Sequence, residues 1–184
     1  LLVALGHWEV APSHAVYYLD TDELVKPTGV DTYAYCCSFH GGPTWSPDSS
    51  SFYGVASEHD WAWLHGSLWE IDAETGAIAT LISLVAKDGT MNLPYEPYLA
   101  PDGQLYYFFL NYPEPAEIPN GMPLQLVRSA PDSVTDRTVL RPETFERMTE
   151  ALWAPDASFV VVTFPQSDER FDGGQAEIVY IDGR

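Results

Sequence analysis

The feature that most narrows the fold of this chain is an internal repeat. Trp45-Ser46-Pro47-Asp48-Ser49 returns as Leu99-Ala100-Pro101-Asp102-Gly103 and again as Trp153-Ala154-Pro155-Asp156-Ala157, with the prolines 54 residues apart each time. Upstream, Pro43, Pro97 and Ala151 share one position of the repeat; downstream, Phe52, Tyr106 and Val160 share another. A second marker runs in step. The apolar stretch Val16-Tyr17-Tyr18-Leu19-Asp20, ending in an acid, returns as Leu68-Trp69-Glu70-Ile71-Asp72 and Ile178-Val179-Tyr180-Ile181-Asp182, with a degenerate copy at Leu124-Gln125-Leu126-Val127-Arg128. Segments such as Glu177-Ile178-Val179-Tyr180-Ile181 alternate at period two and are cut by prolines. That pattern builds strands and excludes a helical solenoid.

Each unit reads as four strands. Strand A, as at 42–47, ends in the Pro-Asp turn, and strand B follows at 52–57 or 105–111. A longer connection leads to strand C at 67–72, and Ala73-Glu74-Thr75-Gly76 turns into strand D at 77–84. In the turn, Pro presets φ, Asp bonds back to the backbone and Gly supplies the left-handed residue. Ser49 and Ala157 stand where that Gly is missing, so those turns are expected to be strained or of another type. A four-stranded sheet with two apolar faces must be covered on both sides. The expected fold is therefore all-β: a β-propeller of four-stranded antiparallel blades. The expected blades are 1–38 (strands B to D), 39–88, 89–142 and 143–184 (strands A to C). These add up to 14 strands, about three and a half blades. Rings close with roughly 4–8 blades. The chain is thus expected to be an incomplete ring cut from something longer, a fragment, or half of a ring completed by a second copy. An open arc exposes apolar faces, so the isolated chain is expected to be poorly soluble or oligomeric.

The succession W-S-P-D-(G/S), strand, L-W-x-I-D-x-x-T-G resembles the PD40 repeat, the WD40-like blade of the TolB family. Similar blades occur in the propeller domains of prolyl-oligopeptidase-type (S9) peptidases. The copy at 45–84 matches best; the copy at 97–140 lacks Trp in strand A and the D-x-x-T-G turn. The matched residues, Trp45, Pro47, Asp48, Pro101, Asp102, Trp153, Pro155 and Asp156, are structural, so the resemblance specifies a blade and leaves function open. It implies a non-catalytic scaffold for protein interaction, periplasmic or secreted, whose partners are a protein, a peptide or further blades. The alternative it implies is the substrate-gating propeller of a cytoplasmic S9 serine peptidase whose catalytic residues lie outside this chain. A downstream G-x-S-x-G in the flanking reading frame would mark the peptidase.

Charge narrows the partners. Lys and Arg number 8 against 27 Asp and Glu, a net charge of −19, which excludes phosphate backbones and disfavours anionic membrane surfaces. No apolar run reaches the roughly 18 residues of a membrane span. In a propeller the B–C and D–A connections share one face, and here they are the long ones, where binding residues collect on a rigid scaffold. The B–C segments gather the candidate binding residues His7, Trp8, Glu9, Glu58, His59, Asp60, Trp61, Trp63, Tyr112, Glu114, Asp168, Glu169 and Asp172. The competing reading is a solvated loop face whose tryptophans pack on blade edges. No metal site or cofactor is expected: Glu58-His59-Asp60 lacks a known ligand spacing. Calcium is the one ion the carboxylates at 168–172 suit. Cys36 and Cys37 are neighbours on an expected strand and point to opposite faces, so an ordinary disulfide between them is strained and no disulfide framework exists; a vicinal redox pair is the competing reading. No G-x-S-x-G, P-loop or G-x-G-x-x-G is present, and no catalytic residue is expected.

Overall fold

A computed structural model describes residues 1–7, 10–28, 39–57, 66–113, 123–167 and 170–182. Along 4–7, 10–13, 39–42, 56–57, 165–167 and 170–173 it describes the backbone alone. Among the described residues, fourteen strands form four antiparallel sheets, each an unbroken meander in chain order. The first holds β1 (Leu2–His7), β2 (Val10–Tyr18) and β3 (Glu23–Val25). The second holds β4 (Phe39–Trp45), β5 (Ser51–Ser57), β6 (Gly66–Asp72) and β7 (Ile78–Ile82). The third holds β8 (Thr90–Leu99), β9 (Leu105–Pro113), β10 (Leu124–Ser129) and β11 (Thr138–Phe145). The fourth holds β12 (Glu150–Trp153), β13 (Phe159–Ser167) and β14 (Arg170–Tyr180). The order B-C-D, A-B-C-D, A-B-C-D, A-B-C is the one the repeat predicts. Strand β11 runs on past residue 142 to Phe145. The reason is a long bulge, because β10 pairs Val127 with Val139 but Gln125 with Thr144, leaving surplus residues on β11.

The sheets stack face to face in chain order, and each seam is an apolar cluster. Val16, Phe52, Trp69 and Ile71 join the first sheet to the second. Tyr53, Val55 and Leu68 meet Leu105, Tyr107 and Phe109 between the second and third. Tyr95, Phe108 and Leu126 meet Val160, Val162 and Val179 between the third and fourth. Strand β9 shows why the run Tyr106-Tyr107-Phe108-Phe109 carries no polar alternation. Leu105, Tyr107 and Phe109 point to the second sheet while Tyr106 and Phe108 point to the fourth, and all five are at most 5% exposed. Full burial of each such side chain contributes about 1.5–3 kcal/mol. The architecture is thus an arc of propeller blades. At the first seam Gly76, at φ 71°, lets the chain pass so close that a Cβ there would sit 2.0 Å from the Lys26 carbonyl oxygen. Thr28 N–H closes that junction on the Gly76 carbonyl at 2.8 Å.

The A–B turns share one motif with one difference. In each, the third turn residue donates its N–H to the residue before the proline: Ser49 to Ser46, Gly103 to Ala100, Ala157 to Ala154, at 2.8–2.9 Å. Each turn then places one residue left-handed: Ser49 at φ 60°, Gly103 at 77° and Ala157 at 54°. The strained alternative therefore holds at Ser49 and Ala157, at a cost of about 1 kcal/mol apiece. The closing bond differs. Ser46 N–H and Ala154 N–H reach the Ser51 and Phe159 carbonyls, whereas Ala100 N–H reaches Gln104, one residue earlier. Gly103 makes that tighter closure, a turn followed by a glycine bulge, available. It shifts β9 by one residue and inverts its faces. The expected equivalence of Phe52, Tyr106 and Val160 is corrected accordingly. Phe52 and Val160 face the preceding sheet, Tyr106 faces the following one, and Tyr107 takes its place.

Candidate functional site

Three contacts align the inner strands. Leu99 N–H donates to Thr44 Oγ1 at 3.2 Å, Trp153 Nε1–H to the Glu96 carbonyl at 3.0 Å, and Tyr98 O–H to the Pro155 carbonyl at 2.7 Å. Strands β4, β8 and β12 therefore run side by side with their A–B turns at one end. In a meander this puts the C–D turns at that end too, and the B–C connections at the other.

The turn end is built by aspartates. Asp48 Oδ1 accepts from Ser46 Oγ, Ser50 N–H and Ser50 Oγ, which hold its carboxyl down at about 2. Asp156 accepts from the Ser158 hydroxyl and N–H and is lowered by those bonds. Asp102 Oδ1 accepts from Gln104 N–H and its Oδ2 from Tyr106 O–H. In the C–D turn, Asp72 accepts from the Thr75 hydroxyl, Thr75 N–H and Glu74 N–H, and is lowered chiefly by Thr75. These acids are turn anchors, so part of the net negative charge belongs to the scaffold.

At the other end, His7 closes β1 opposite Val10, and Ser167 pairs with Arg170. Of the B–C segments expected as loops, residues 6–7 lie on β1, 166–167 on β13 and 170–172 on β14. Asp172 lies on β14. Tyr112 is corrected from rim to core: it lies on β9, 6% exposed, in the apolar cluster between the third and fourth sheets. Strand alternation gives it the same face as Phe108. Trp8, Glu9, Glu58, His59, Asp60, Trp61, Trp63, Glu114, Asp168 and Glu169 lie outside the described residues, as do Cys36 and Cys37. Of these, residues 58–63 fall between Ser57 and Gly66 of the second sheet, and Glu114 follows Pro113, the last residue of β9. Among the described residues, no group of three or more His, Cys, Asp or Glu is placed to hold a metal ion.

One group that the sequence pattern does not single out stands out in the structure. Glu96, only 4% exposed, lies inside β8 with a left-handed φ of 50°, immediately before Pro97 and at the bulge between Tyr95 and Tyr98. Burial, then the charge of Glu150, push its carboxyl up to about 8, against one bond from the Ala151 N–H. It is therefore mostly protonated at neutral pH. Glu150 occupies the same repeat position 54 residues on. Burial and the same two carboxylates raise Tyr95, whose O–H donates to the Thr149 carbonyl at 3.1 Å. The signal that could have found Glu96 is an acid and a proline inside an aromatic strand, a combination that marks a bulge.

Among the described residues, no helix is long and apolar enough to cross a membrane. No family model matches the chain, and no curated protein matches it. Among solved structures it is similar to a luciferin-regenerating enzyme, at 16% identity and TM-score 0.47, over 93% of this chain and 52% of that one. It is similar to TolB from Acinetobacter baumannii at 14% identity and TM-score 0.41, over 96% of this chain and 48% of that one. A prolyl endopeptidase shares 11% identity at TM-score 0.40, over 100% of this chain and 34% of that one. The chain spans about half the length of the first two and a third of the last.

Proposed function

We propose that this chain is a non-catalytic propeller scaffold that binds a protein or peptide through the rim at the B–C ends of its sheets. The observation that carries this reading is the alignment of the inner strands, with Leu99 bonded to Thr44 and Trp153 to Glu96. It brings the strand ends that flank the B–C connections of successive sheets to one edge of the stack; on this reading the Trp, His and acidic residues of those connections supply the binding surface. Rigid presentation lowers the ordering cost of binding, and Trp is a favoured anchor at interfaces. The acids favour a partner with basic residues. The resemblance to TolB-type repeats adds a periplasmic or secreted location to the reading.

The test is a peptide-display selection against the chain, repeated on two variants. Trp61→Ala/Trp63→Ala alters the rim, and Asp102→Asn alters the turn end. Selected peptides should lose affinity for the first variant and keep it for the second. Equal binding to both would overturn the rim reading.

A further inference from the structure

The bulge in β11 lies beside a concavity on the side of the third sheet that faces the second. This concavity is about 530 Å³, and its walls include Phe109, Gln125, Val127, Arg137, Val139 and Thr144. The pairing explains the grouping. Phe109 pairs with Gln125 and Gln125 with Thr144; in the neighbouring row Val127 pairs with Val139. Paired residues share a face, so these five side chains emerge on one side of the sheet. Arg137, half-buried just ahead of β11, lays its guanidinium over the Phe109 ring, 3.7 Å from the centroid. Its fork of N–H donors is thereby held in one plane beside the cavity.

The charge balance makes this arginine unusual. The chain has 27 acids for 8 Lys and Arg, and Arg141, on β11, pairs with Glu143. Among the described residues, Arg137 is matched to an aromatic ring and to no carboxylate. A planar cation held on a ring, with the amide of Gln125 and the hydroxyl of Thr144 nearby and Val127 and Val139 as apolar wall, is complementary to a carboxylate bearing a short apolar group.

We propose that this cavity is a carboxylate-binding site, with Arg137 pairing the carboxylate and the valines taking its apolar substituent. The shared chemistry fits two sources, a free small acid or the C-terminus of a peptide. The concavity also reaches Leu110, Asn111 and Pro123 near the B–C end of the third sheet, but Arg137, Gln125 and Thr144, on which the proposal rests, are not among the rim candidates, so it can fail or hold independently of the rim reading.

The test is titration of the ¹⁵N-labelled chain with isovalerate, with acetyl-Gly-Val as the free acid, and with the same dipeptide as its amide. The Arg137 Nε–Hε resonance is followed, assigned by its loss in Arg137→Met. The acid should shift that resonance and bind at least about tenfold more tightly than the amide. Gln125→Ala should weaken the acid several-fold while leaving the fold intact. Binding of both isovalerate and the dipeptide acid points to a small-acid site; binding of the dipeptide acid alone points to a peptide terminus. Equal binding of acid and amide, or no shift of the Arg137 resonance with either acid, would overturn the proposal.

Discussion

Trp153 donates its indole N–H to the main-chain oxygen of Glu96 at 3.0 Å, and this bond ties the inner strands of the third and fourth sheets. The same ring stacks on Tyr98 at 5.8 Å, 10° from parallel, and touches Tyr106 and Phe108 at 5.9 Å. Trp153 is thus a seam residue as well as a repeat marker. Trp153→Phe keeps most of the apolar contact and removes the donor. It should cost about 1–3 kcal/mol in urea unfolding, the penalty of an unsatisfied buried carbonyl.

Glu96 makes stability depend on pH. Its folded carboxyl is raised to about 8 from an ordinary 4.5, so the folded state holds a proton that the unfolded chain releases. The contribution is fully present below the ordinary value and is lost as pH rises to about 8. The slope approaches ~1.4 kcal/mol per pH unit within that window. Glu96→Gln should remove this slope. The readout is the difference between wild type and variant in denaturation midpoints from pH 5 to 8, in which other titrating groups such as His14 cancel. A constant difference across that range would contradict the assignment.

The left-handed turn residues give opposite expectations at equivalent positions. Ser49 is exposed at φ 60°, so Ser49→Gly should stabilise the chain by about 1 kcal/mol. A Cβ added at Gly103 would meet only open space, so Gly103→Ala should destabilise through φ alone, by a similar amount. At Ala157 the relief is offset because its methyl is buried, 3% exposed, so Ala157→Gly should be close to neutral. Thermal melts of the three variants check the order.

The face of the fourth sheet turned away from the third is apolar and open. Leu152, Val161 and Ile178 form one cross-strand row, with Leu152 54% and Ile178 55% exposed, and Phe159 pairs with Tyr180 beside it. Every other seam in the stack covers such a row. The chain should therefore self-associate with concentration in sedimentation velocity, and Leu152→Glu/Ile178→Lys should reduce that association.

The strand count, the blade order and the turn chemistry of Asp48, Asp102 and Asp156 were legible because each rests on local pattern: period-two alternation and Pro-Asp turns at fixed spacing. The face each strand presents was not. One hydrogen bond, Ala100 to Gln104 in place of its neighbour, reverses β9, and equal 54-residue spacing cannot reveal it. Tyr112 reads as a rim residue for a related reason, because the length of β9 and not its composition carries that ring into the core. Glu96 is hidden in the sequence because a charged residue in a strand reads as solvent-facing until the adjoining sheet is placed.

The most direct test of the stacked, one-residue-offset arrangement is the set of nuclear Overhauser contacts from β9. The Tyr107 ring should contact methyls of Val55 and Leu68 in the second sheet, and the Phe108 ring those of Val160 and Val162 in the fourth. The reverse assignment, Phe108 to the second sheet and Tyr107 to the fourth, would contradict the account.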